Sequence, residues 1–169
     1  PRHERDLARI NSFFREGGSD RLWQRMGDGS LEPDFGPALP HATAGATLVT
    51  ARPPLAAFNV ELDTDDIEVA KAVAAKLRES GGGLPGVRAI GLLLSTGRAQ
   101  VSTNVHDPIG LPLAEVVARI RDLAKPLGAR PIEAELIGLL PEAALAGYPE
   151  DVPIRDFDPD FHVIEKRCA

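Results

Sequence analysis

The sequence predicts an α+β fold of the ferredoxin-like class, βαββαβ, with a four-stranded, mostly antiparallel sheet carrying two helices on one face. Apolar patterning alternates between strand and helix periods in the order strand, helix, strand, strand, helix, strand. The two middle strands are joined by Ser95, Thr96 and Gly97, a short glycine-containing connection that makes them a hairpin. An internal echo agrees with the pseudo-twofold of such a fold: Phe58-Asn59-Val60 precedes the first helix and Thr103-Asn104-Val105 the second.

The elements follow in order. A helical lead-in is expected from Leu7, Ile10, Phe13 and Phe14, stopped by Gly17 and Gly18, with Leu22, Trp23 and Met26 as a second short stripe. Residues 27–45 are rich in Gly, Pro and Asp and read as a long irregular loop, a type that is usually functional or disordered. Residues 55–62 form the first strand, and the Asp63 to Asp66 cluster is suited to capping a helix. Ile67, Ala70, Val73, Ala74 and Leu77 then recur at helical spacing until Gly81, Gly82 and Gly83 close the helix. Strands are expected over 87–94 and 98–106. A second helix is marked by Leu113, Val116, Val117, Ile120, Leu123, Ala124 and Leu127, with Pro126 in its last turn and Gly128 ending it. Residues 132–140 make the fourth strand, a short third helix is expected from Pro141, and the rest is turn-rich and expected to run over the surface. The organisation is thus a lead-in and loop over 1–45, the α+β domain over 46–146 and an extended tail over 147–169.

Composition limits the function. The 169 residues suffice for one domain with a real core, and 43% hydrophobic with 26% charged residues is ordinary for a globular protein. Acidic residues outnumber basic ones by 25 to 19, a formal charge of −6, which argues against a partner such as nucleic acid, bound by neutralising phosphates. One cysteine, Cys168, and four scattered histidines give neither an internal disulfide nor metal-ligand spacing, so no metal is expected. No long apolar run and no secretory signal are visible, so no membrane contact and a cytoplasmic location are expected. The chain starts at Pro1 without an initiator Met, as expected of a fragment.

Strand alternation divides the sheet. Phe58, Val60 and Leu62 share one face and Ala57, Asn59 and Glu61 the other; likewise Val101, Thr103 and Val105 oppose Gln100, Ser102, Asn104 and His106, and Ile132, Ala134 and Leu136 oppose Glu133 and Glu135. The polar face is either simply solvated or lines a cleft. Amides on adjacent strands suit a flat heterocycle with mixed donors and acceptors.

Several ordered blocks resemble one family. Pro33-Asp34-Phe35-Gly36-Pro37, Gly45-Ala46-Thr47 and the run from Ala51 to Leu62 are similar to the junction and first strand of the C-terminal subdomain of glutamate formiminotransferases, in the formiminotransferase-cyclodeaminase family. Leu77 to Gly91, Ala99 to Asn104 and Glu135 to Pro141 continue the match in consistent order. The resemblance implies transfer of a formimino group from N-formiminoglutamate to N5 of tetrahydrofolate, a co-substrate held between two ferredoxin-like subdomains, in histidine breakdown. It carries the family's folate loop onto Gly36, Pro37, Ala38, Leu39, Pro40, His41, Ala42, Thr43, Ala44 and Gly45, although 38–44 depart from the pattern. It also turns the polar face, with Asn59, Gln100 and Asn104, toward the folate. The family's catalytic histidine lies in the N-terminal subdomain, which is absent, so no catalytic residue is assigned and the chain is expected to be inactive without that partner. His106 has no matching motif. Arg52, Arg88 and Arg98 are candidates for the folate's carboxylates or plain surface residues. A homodimer is left open. A different class, a stand-alone ferredoxin-like module sensing an amino acid, and a scaffold that binds nothing are also left open.

Overall fold

The computed structural model describes residues 16–49 and 55–168. The helix expected around Leu7 to Phe14, the junction at 50–54 and Arg52 with it lie outside the described residues. The chain divides into two compact units, Pro1–Arg52 and Pro53–Ala169.

In the first unit, α1 (Gly18–Gly27) begins after Gly17 and is followed by the irregular segment. In the second, β1 (Ala56–Leu62), α2 (Ile67–Leu77), β2 (Val87–Leu93), β3 (Ala99–Val105), α3 (Leu113–Ala124) and β4 (Pro131–Ile137) run in the expected order. The sheet order is β2-β3-β1-β4, and every neighbouring pair is antiparallel. This is the ferredoxin-like arrangement.

Each boundary has a local cause. The Asp66 carboxylate accepts from the Glu68 backbone N–H at 2.8 Å, capping α2. Pro126 lacks an N–H and cannot continue an α-helix, so α3 stops at Ala124 and the apolar stripe ends in a 3-10 turn, Lys125–Leu127. β4 ends at Ile137, three residues before the expected Leu140, because Gly138 turns the chain at φ +83. The expected third helix is a 3-10 turn, Glu142–Leu145.

The core lies between the sheet and the two long helices: Phe58, Val60, Leu62, Leu77, Val101, Val105, Leu113, Val116 and Ile120 are fully or almost fully buried. Burying such side chains contributes roughly 1.5–3 kcal/mol each. α2 packs against β2 and β3 closely enough that a Cβ on Gly91 would lie 2.3 Å from Lys71 N and 2.5 Å from Ala70 C.

The tail corrects the sequence reading. It does not simply cross the surface: Val152 and Val163 are buried. Ile154 bridges Ala134 on the outer side of β4 and Val163 bridges Leu140 beyond its end, both parallel. Two single-turn helices, α4 (Pro159–His162) and α5 (Ile164–Arg167), end the described chain.

Candidate functional site

Within the second unit, one face of the sheet carries no helix among the described residues, and the strand register defines it. Directly paired residues of an antiparallel ladder project to the same face. One row is Arg88, Asn104, Ala57, Ile137; the next is Ile90, Ser102, Asn59, Glu135; the third is Leu92, Gln100, Glu61, Glu133. The opposite face, with Ala89, Thr103, Phe58 and Leu136 in one row, meets the core.

Asn59, Gln100 and Asn104 all stand on the helix-free face, in different circumstances. Asn104 is exposed and Asn59 half-buried, whereas Gln100 is almost fully covered. The two asparagines are not opposite each other. Asn59 is paired with Ser102, and Asn104 with Ala57, so the amides are diagonal neighbours. Asn59 Nδ2 donates to Glu135 Oε2 at 3.1 Å.

At one corner three carboxylates gather. Glu61 is only 5% exposed although it faces away from the helices. Its counter-charge comes from the tail: Arg155 donates to Glu61 Oε1 at 2.6 Å and also to Glu133. The bonds to Glu61 and then Glu133 hold the guanidinium protonated even more firmly than usual. Sequence reasoning missed Arg155, which lies 94 residues from Glu61.

The polar centre has apolar flanks. Ile90 is 56%, Leu92 38% and Ile137 53% exposed. Residues of this size pointing outward from both outer strands give the face a mixed character, with Ile90 and Leu92 beside Arg88 on β2 and Ile137 beside Glu133 and Glu135 on β4.

The predicted loop belongs to the first unit and has its own order. His41 and Gly45 form an antiparallel bridge, His41 N–H donating to Gly45 O at 2.8 Å and Gly45 N–H to His41 O at 2.9 Å. Gly45 closes the turn at φ +69, a conformation other residues rarely adopt. His41 Nδ1 accepts from the Ala44 N–H at 3.1 Å and the Thr43 N–H at 3.3 Å. An accepting Nδ1 on a neutral ring leaves the proton on Nε2, which becomes a donor away from the turn. Gly36, Pro37, Ala38, Leu39, Ala42, Thr43 and Ala44 carry no side-chain charge, and of the ten loop residues only Pro40 is buried.

Of the arginines considered from sequence, Arg88 lies on the helix-free face and Arg98 lines a shallow polar depression with Asp63, Thr64, Asp65, Thr96 and Gly97. The backbone N–H of Arg130 donates to Asp63 at 2.8 Å and its guanidinium at 2.9 Å, and these bonds hold the Asp63 carboxyl below its usual range. Burial, then the charge of Asp151, pushes the Tyr148 hydroxyl up; it donates to Val152 O at 2.9 Å. Among the described residues no group of three or more His, Cys, Asp and Glu is placed to hold a metal. No helix among them is long and apolar enough to cross a membrane.

Known proteins match this chain. A family model described as formiminotransferase domain matches residues 57–149. A glutamate formimidoyltransferase of Streptococcus pyogenes serotype M1 is 37% identical over 162 residues, covering 95% of this chain and 53% of that protein. One from Thermoplasma acidophilum is 34% identical over 142 residues, 83% of this chain and 46% of that protein. A formimidoyltransferase-cyclodeaminase of Rattus norvegicus is 36% identical over 139 residues, 78% of this chain and 26% of that protein. The chain therefore spans about half the length of the first two relatives and about a quarter of the third.

Proposed function

This chain belongs to the formiminotransferase domain family, and from that premise we propose that it is the folate-binding half of a glutamate formimidoyltransferase. In this reading tetrahydrofolate is the co-substrate and N-formiminoglutamate the donor, in the cytoplasmic breakdown of histidine. The catalytic base comes from a formiminotransferase N-terminal subdomain. One observation carries the reading. The helix-free sheet face has amides and a hydroxyl at its centre and exposed Ile90, Leu92 and Ile137 at its flanks, as expected of one wall of a cleft.

The chemistry divides accordingly. Transfer requires N5 of the folate to attack the formimino carbon, forming a tetrahedral centre that collapses by breaking the bond to the glutamate nitrogen and releasing glutamate, with a positioned base moving the proton from N5 to the leaving amine. The residues of this chain bind and orient. Asn59, Ser102 and Asn104 offer donors and acceptors to a flat heterocycle, and the apolar flanks pack against it. Within the first unit, the loop Gly36 to Gly45 offers a donor of its own, the His41 Nε2–H.

Calorimetric titration with tetrahydrofolate, of this chain alone and mixed with a formiminotransferase N-terminal subdomain, tests the reading. Binding that appears or tightens with both halves present is the expected result. Absence of binding in the mixture rules it out. Dimerisation of the chain alone with stabilisation by an amino acid, and none by folate, would favour the sensing module instead.

A further inference from the structure

A guanidinium reaches the open sheet face from outside the four strands that build it. The Ala134 N–H donates to Pro153 O and the Arg155 N–H to Ala134 O, each at 2.8 Å, so residues 153–155 lie along the outer side of β4. Ile154 is paired with Ala134 toward the helices, and alternation puts Arg155 on the other side, with Glu133 and Glu135. The family model ends at residue 149, and the match to the Streptococcus pyogenes relative, over 95% of this chain, runs on across Arg155.

Glu61 and Glu133 are directly paired across β1 and β4, a position where like charges repel. Arg155 bridges both. Glu135 differs: among the described residues it bonds the Asn59 amide and has no cation paired with it. Each of the three carboxylates has one oxygen in such a bond, Glu61 Oε1 and Glu133 Oε2 on Arg155 and Glu135 Oε2 on Asn59, so what sets Glu135 apart is that its partner is a neutral amide and not a cation.

We propose that Arg155 is a positioning residue for ligand binding: by neutralising and orienting Glu61 and Glu133, it leaves Glu135 as the carboxylate of this corner that accepts from a ligand, and so selects a ligand edge made of adjacent N–H donors. The inference rests on the folate reading, because the pyrimidine edge of a pterin, with its 2-amino group and N3–H, is such an edge. A carboxylate accepts two parallel N–H bonds from a flat donor pair in the same geometry it uses for arginine, and Glu135 Oε2 would take its share through the lone pair that Asn59 does not use. Without Arg155, Glu61 and Glu133 would lose their orientation and compete with Glu135 for the ligand's donors.

The test is binding of tetrahydrofolate, and of an analogue with the 2-amino group replaced by methyl, to this chain mixed with a formiminotransferase N-terminal subdomain. The wild type prefers tetrahydrofolate. Arg155→Gln is expected to lose most of that preference, roughly tenfold, the scale of one charge-assisted bond. Arg155→Lys, which keeps the charge without the fork, recovers part of it. A triple variant, Glu61→Gln, Glu133→Gln and Arg155→Gln, recovers most of it, because no unbalanced carboxylate then competes with Glu135. Unchanged preference in Arg155→Gln overturns the proposal. So does a loss that the triple variant fails to recover, since Arg155 would then be only a structural tie. A wild type that binds both compounds equally overturns this inference alone; one that binds neither removes the folate reading with it.

Discussion

Asn59 and Glu135 sit directly opposite one another on β1 and β4, and the amide donates to the carboxylate at 3.1 Å. Replacing the donor by an acceptor of the same shape reverses the interaction. Asn59→Asp is expected to destabilise the fold by about 0.5–1 kcal/mol, the scale of a like-charge cross-strand pair. Adding Glu135→Gln should restore most of the loss, as read by urea unfolding of both variants. If the folate reading holds, Asn59→Asp also weakens tetrahydrofolate binding.

Gly91 allows α2 to lie against β2. A Cβ there would meet the backbone of Ala70 and Lys71, which cannot rotate away as a side chain can. Gly91→Ala is expected to cost about 1–3 kcal/mol, the range for overpacked cores. A lowered urea midpoint with an unchanged slope is the expected signature.

Asp63 ties the end of β1 to Arg130, and its folded carboxyl titrates below the unfolded one. The sign follows: this contribution is present above the unfolded pKa, near 4, and is lost as pH falls through the lower folded value. Asp63→Asn should therefore flatten the acid limb of stability against pH while changing its shape little at neutral pH. Thermal unfolding from pH 3 to 7 measures it.

Ending the chain after Glu150 would remove Val152 and Val163 from the core and Arg155 from Glu61. The two valines alone account for about 3 kcal/mol or more, and breaking a pair that involves a buried charge adds several more. The shortened chain is expected to lose cooperative unfolding, as followed by circular dichroism on heating.

Much of this molecule is legible in its sequence because local signals agree. The Asp66 cap and the Ile67, Ala70, Val73, Ala74, Leu77 stripe mark α2 independently, and they coincide with its bounds. α3 was read too long because its apolar period continues to Leu127 past the backbone break at Pro126. The offset between Asn59 and Asn104 was invisible, since register belongs to a pair of strands and not to either one. Arg155 left only a faint trace: Val152 and Ile154 alternate with Asp151, Pro153 and Arg155 over too few residues to mark a strand, and the proline counts against one. Its partnership with Glu61 is a product of tertiary folding alone.

The parallel bridge at Ala134 also bears on self-association. An open strand border offers unpaired amides and carbonyls to any second chain, and β4 would be such a border. Here the Ala134 N–H and C=O are both engaged by the segment at 153–155. Strand addition by a second chain is thereby blocked at this position of β4.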